Sequence, residues 1–296
     1  MDDPKDPGKP KRLMGALYLS IIVAGCLALI KVLAALVTRS MAILASALDS
    51  LMDVGASIVN LLALQGASQP PDEEHAYGHE KIESLAGLFQ SVLLTLTGLY
   101  IVYESVRRLI FGEEIQVLSL GIGVMLFAIL ATLLLVWRLK TVSRHSESLV
   151  MKSEKLHYVT DILSNVGVIV SLVLVALTKW VVWDLLISIA IAIYVCHAAY
   201  EILRKSIDEL LDRALPPQAR REIESLVLNF NPSIAGIHNL RTRKVGGKVF
   251  LDFHIEIGGQ QNFNEAHQMT ESLIEAMRKR YTNADVTVHF DPEGEI

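Results

Sequence analysis

The sequence predicts an α-helical membrane protein: six transmembrane helices, then a small α+β domain of α-β-β-α-β order. Three observations carry this. Of the 296 residues 52% are hydrophobic, and the mean hydropathy is +0.41, above the balance of an ordinary soluble domain. The apolar residues gather into six runs long enough to span a bilayer, which needs about 20 residues per helix. After about residue 212 the runs give way to amphipathic and alternating segments.

Residues 1–12 are polar, with Pro4, Pro7 and Pro10 among Lys5, Lys9, Lys11 and Arg12, and read as a disordered basic arm. Apolar runs follow at about 13–37, 41–67, 83–110, 117–139, 158–178 and 181–203. The first continues past Cys26 and is too long for the apolar part of a signal peptide. The second, third and fifth runs carry polar positions and are expected to line a path; the first, fourth and sixth are greasier and belong outside them. Lys31 in the first run has to snorkel or pair internally. Lysine and arginine crowd the arm, the fourth-to-fifth loop (Arg138, Lys140, Arg144, Lys152, Lys155) and the end of the sixth run (Arg204, Lys205, Arg213). The other side has Arg39, Arg107, Arg108 and Lys179. That asymmetry puts both termini in the cytoplasm.

The tail, residues 213–296, opens a helix at Pro216-Pro217. Residues 236–245 and 248–258 read as strands around Gly246-Gly247, a hairpin signal. Residues 263–281 have helical periodicity, and 284–290 alternate as a strand does. An open-faced sandwich of about 80 residues satisfies this order.

Several chemistries are excluded. A net charge of -5 leaves no nucleic-acid footprint. The two cysteines, Cys26 and Cys196, both lie in apolar runs, so neither a disulfide framework nor a cysteine-based zinc site is implied. There is no Ser/His/Asp set and no phosphate-binding glycine loop, which argues against an enzyme and against ATP drive.

The polar residues inside the spans point elsewhere. Asp49 and Asp53 stand four apart in the second run, and His157 and Asp161 four apart in the fifth, so each pair shares one helix face. Charge in hydrocarbon is costly and persists when paired, protonated or bound to a cation. Three carboxylates and an imidazole make a four-donor site for a divalent cation. Ser46, Ser57, Asn60, Ser164 and Asn165 extend the same polar stripes. The second-to-third loop offers Asp72, His75 and His79, which suit a second cation or a solvated loop equally. In the tail, His238, His254, His267, His289 and Asp291 put five ligand-type groups in one small domain, suggesting a metal cluster, in one form binuclear with Asp291 bridging. Of the nine histidines only His145 and His197 stand outside these groups; they read as a solvated loop residue and an intramembrane polar contact.

These motifs together resemble the cation diffusion facilitator family, in its bacterial zinc and ferrous-iron efflux branch. The matching residues are Asp49-xxx-Asp53 and His157-xxx-Asp161, then Asp72, His75, Tyr77-Gly78-His79 and Lys81. In the tail they are Gly236-Ile237-His238, Phe253-His254, Asn264-Glu265-Ala266-His267 and His289-Phe290-Asp291. The resemblance implies a homodimer in the bacterial inner membrane, with six spans over 13–212 and a ferredoxin-like cytoplasmic domain over 213–296. It implies that Asp49, Asp53, His157 and Asp161 form the transport site, that Asp72, His75 and His79 hold a second cation, and that the tail set steadies the dimer. Metal and protons compete for the same lone pairs, so the expected activity is metal-out, proton-in antiport. Zinc and ferrous iron are the favoured metals; cadmium and manganese also suit oxygen-rich ligation with one imidazole. The rival expectations are a membrane-tethered binuclear metal-dependent hydrolase, a channel and a non-transporting metal sensor.

Overall fold

The computed structural model describes residues 9–38, 41–111, 119–144, 146, 148–178, 180, 182–258, 262–281 and 283–294. Most of the basic arm lies outside them, as do Arg39, His145 and Lys179. The described chain divides into two compact units, one ending at Ile207 and the other beginning at Asp208.

The first unit is built on six long helices: α1 (Lys9–Thr38), α2 (Met41–Ala67), α3 (Lys81–Phe111), α4 (Ser119–Ser143), α5 (Leu149–Thr178) and α6 (Val182–Leu210). Four carry segments long and apolar enough to cross a membrane: Lys11–Ala34, Ala47–Ala67, Lys81–Phe111 and Leu185–Leu210. Their outward faces stay apolar, with Leu29, Leu36, Leu62 and Tyr100 each at least 60% exposed, as a lipid-facing surface requires. Inside, Leu17, Leu139, Val150 and Met151 are fully buried in one core cluster. Lys31 pairs internally: its Nζ donates to Ser50 Oγ on α2 at 2.7 Å.

Two boundaries differ from the sequence reading. α1 already begins at Lys9, so residues 9–12 of the expected disordered arm are helical. Pro10 permits this, because a first-turn N–H has no intrahelical partner to lose. α5 begins at Leu149, about two turns before the expected 158. Ser148 caps it, accepting the Met151 N–H at 3.2 Å. Glu83 on α3 accepts the Val150 N–H at 3.3 Å, placing a carboxylate at the positive end of the helix dipole. The polar residues 152–157 therefore stand on the helix.

The second unit contains α7 (Pro217–Leu228), β1 (Ile234–Val245), β2 (Lys248–Ile257), α8 (Phe263–Arg280) and β3 (Ala284–Pro292). The sheet order is β1-β2-β3, with β1 and β2 antiparallel and β2 and β3 parallel. Alternation buries Leu251, Phe253, Ile255 and Ile257 of β2 against Leu273 and Met277 of α8 and Ile223 and Val227 of α7. A capping box between Asn262 and Glu265 starts α8, and Arg278, Lys279 and Arg280 end it, matching the dipole at both ends. The opposite face of β2 carries His254 and Glu256.

Candidate metal centres

Three groups of donors converge among the described residues. The first joins α2 to α5. One donor atom each from Asp53, His157 and Asp161 lies within 4.8 Å of the other two. His157 Nε2 is 3.0 Å from Asp53 Oδ1 and 3.9 Å from Asp161 Oδ2. His157 Nε2 is buried and has no hydrogen bond in proper geometry despite those distances. Asp49 is one turn before Asp53 on the same helix but is exposed and outside the converged group. The structure thus brings three of the four expected donors together.

The second group lies in the loop between α2 and α3. Asp72 Oδ1 accepts the backbone N–H of Glu74 at 3.0 Å and of His75 at 2.6 Å. His75 Nδ1 is 3.3 Å from Oδ1, and His79 Nε2 is 3.3 Å from Oδ2. The His75 backbone N–H holds the Asp72 carboxyl below the usual carboxylate range, with both imidazoles adding to the effect. Gly78 turns the chain between the two histidines at φ +97, a left-handed conformation that favours glycine.

The third group sits on the open face of the tail sheet, and strand register builds it. His238 pairs with His254 across β1 and β2, and His254 with His289 across β2 and β3. Directly paired residues project from the same face, so the three imidazoles form a row. Ring centroids are 5.1 Å apart for the first pair and 4.7 Å for the second. Two residues along, Asp291 pairs with Glu256 on that face. Asp291 Oδ2 lies 2.9 Å from His254 Nδ1 and 3.1 Å from His238 Nε2. Its other oxygen, Oδ1, lies 3.0 Å from His289 Nε2. One carboxylate thus faces two sets of imidazoles with different oxygens. A bulge between His238 and Arg241, with Asn239 at φ 52, bends β1 beside this row.

The donor set fits a divalent metal. Both nitrogens of His238 are buried without a hydrogen bond, and two imidazoles with a carboxylate suit zinc or iron. The hydrogen bond from His254 holds Asp291 below the usual carboxylate range, and the charges of His289, His254 and His238 act in the same sense. His267 is not drawn in: it is exposed on α8, its ring parallel to Phe263 at 6.3 Å between centroids.

Sequence reasoning missed two carboxylates. Glu256 Oε1 lies 3.3 Å from His238 Nδ1; its place two residues after His254, on the same strand face, is the signal that could have found it. Glu154 is 1% exposed on α5; the serine cap at 148 was its signal.

Comparison with known proteins covers nearly the whole chain. The model of the cation efflux transmembrane domain matches residues 17–211, and that of the cation efflux protein cytoplasmic domain matches residues 215–293. The cation-efflux pump FieF of Pectobacterium atrosepticum is 37% identical over 276 residues, covering 93% of this chain and 91% of that one. That of Yersinia pestis (strain Pestoides F) is 35% identical over 290 residues, covering 97% and 95%. The solved metal-bound C-terminal domain of the CzcD transporter from Thermotoga maritima is 29% identical, covering 28% of this chain and 99% of that one with a TM-score of 0.26. With its membrane and cytoplasmic parts both matched, the chain belongs to the cation efflux family.

Proposed function

We propose that this protein exports divalent metal cations, zinc or ferrous iron first among them, in exchange for protons. The observation that carries the reading is the convergence of Asp53, His157 and Asp161 from two helices of an apolar bundle. Asp49 completes the set by swinging in from its exposed position one turn away. Carboxylates facing an imidazole bind a cation when deprotonated and release it when protonated. Alternating access then needs only rocking of helices about a fixed site.

The six long helices are read as six spans over 13–212, with the ferredoxin-like domain, 213–296, and both termini in the cytoplasm of a bacterium bounded by its inner membrane. The loop trio of Asp72, His75 and His79 holds a second cation. In the tail, His238, His254 and Asp291 hold one resident metal. His289 at Asp291 Oδ1, with His267 turned in from its exposed place beside Phe263, holds another, a binuclear cluster that steadies a homodimer. The closeness of His289 to that second oxygen, 3.0 Å, supports this division.

The test is zinc and ferrous-iron uptake into inside-out vesicles with and without an acidic lumen. Wild type is expected to accumulate metal faster with the proton gradient, and Asp49→Ala and Asp53→Ala to abolish accumulation. Uptake indifferent to the gradient would make the protein a channel. Full uptake by either variant would remove the proposed site.

A further inference from the structure

Glu154 is a carboxylate for which the proposed transport site has no use. It is among the largest fully buried side chains of the protein. Ser57 Oγ donates to its Oε1 at 2.7 Å and Asn60 Nδ2 to its Oε2 at 2.5 Å, and both donors are 0% exposed. Tyr158 Oη lies 3.1 Å from Ser57 Oγ and donates to the Ser20 carbonyl at 3.4 Å. The network therefore ties α5 to α2 and α1.

Its placement relates it to the cation donors. Glu154 precedes His157 by three residues on α5, and Ser57 follows Asp53 by four on α2. At these spacings residues share a helix face. The same two faces thus carry Asp53 against His157 and, one turn along, Ser57 and Asn60 against Glu154. An ionisable group this deep is tolerated only when aimed donors satisfy it, and such bonds are directional. They fix the rotation and register of α2 against α5 more sharply than apolar packing would.

We propose that Glu154 is a positioning residue for the cation site, clamping α2 to α5 so that Asp53 and His157 face each other. This rests on the reading of Asp53, His157 and Asp161 as the transport site. Asn60 supplies a discriminating test. Its Oδ1 is buried and has no hydrogen-bond partner among the described residues. In Glu154→Gln, a half-turn of the Asn60 amide would let that oxygen receive the new NH2 while Ser57 still donates to the glutamine oxygen. Gln keeps both bonds without the charge, whereas Leu keeps the volume with neither.

The experiment measures initial zinc uptake against zinc concentration for the full chain in proteoliposomes, comparing wild type, Glu154→Gln, Glu154→Leu and Asp53→Ala. Zinc titration of the tail in the same preparations reports folded protein and is expected to be unchanged. Glu154→Leu is expected to raise KM about ten-fold or more, in the range typical of lost supporting partners at metal sites, and Gln to bring it back to within about three-fold of wild type. Asn60→Ala, a milder change should Leu fail to fold, is expected to raise KM in the same direction. A wild-type KM in both Glu154→Leu and Asn60→Ala overturns the proposal, as does a Gln variant as impaired as Leu. Undiminished transport by Asp53→Ala would instead sink the site reading, so the two failures are distinct.

Discussion

His157 Nε2 and Asp53 Oδ1 lie 3.0 Å apart without forming a hydrogen bond in proper geometry. Together with Asp161 they form a trio whose donor atoms all lie within 4.8 Å of one another. Asp53→Asn keeps the size of the side chain and removes its charge. It is expected to lower zinc transport by at least about 100-fold, the upper end of what losing an outer partner costs a metal site, with the same yield of folded protein. Initial uptake rates in inside-out vesicles check this, and Asp53→Glu is expected to recover only part of the activity.

The donors of this site were legible because helical spacing is written directly in the chain: residues four apart share a face wherever the helix begins. Glu154 was not legible for a related reason. Hydropathy marks where lipid contact begins, and it placed the start of the fifth run at 158, leaving Lys152, Glu154 and Lys155 in a loop. The helix instead begins at its serine cap, Ser148, and Ser57 and Asn60 on another helix make the buried charge tolerable. In the tail, alternation gave away the strands but not their register. The row of His238, His254 and His289 depends on pairing between segments distant in sequence, which no local pattern encodes. The same limit hid Glu256.

Asp291 titrates in a predictable direction. The hydrogen bond from His254, with charge from His289, His254 and His238, holds its carboxyl below the usual range. A depressed folded value contributes stability that is present above the unfolded value, near pH 3.9, and is lost as pH falls through the folded one. The metal-free protein is therefore expected to lose tail stability only on acidification below about pH 4, and Asp291→Asn to flatten that acid limb. Metal loading responds in a different window. Protons compete with metal for the ligating nitrogens, so bound metal is lost as pH drops, before the acid limb is reached. Thermal unfolding across pH, with and without added zinc, separates the two windows.

Glu256 acts on the tail centre through His238. Its Oε1 stands 3.3 Å from His238 Nδ1 while His238 Nε2 faces Asp291, so a small turn of the ring would let Nδ1 donate to it, as ligating imidazoles donate to outer carboxylates. Glu256→Gln is expected to weaken zinc binding by the tail about 10-fold and Glu256→Ala by up to about 100-fold, with transport-site binding unchanged. Competitive titration with a zinc chelator of known affinity measures both. Equal affinity in wild type and Glu256→Ala would leave Glu256 a bystander on the sheet.

Gly98 controls how closely α3 and α6 approach. A Cβ built there would stand 2.8 Å from Cys196 Sγ and 3.5 Å from the Ala192 carbonyl oxygen, closer to the sulfur than packed side chains come. Cys196 Sγ meanwhile points to the Thr95 carbonyl at 3.9 Å, so its sulfur belongs to this contact and not to a metal site. Gly98→Val is expected to destabilise the bundle by about 1–3 kcal/mol, the usual cost of overpacking, lowering the thermal midpoint in detergent by roughly 2–4 °C per kcal/mol. Cys196→Ala removes the nearest obstructing atom, so the double variant is expected to melt above Gly98→Val alone although Cys196→Ala by itself gains nothing. That non-additivity is the signature of two side chains competing for one volume, and strictly additive midpoints would show that the helices separate instead of sharing it.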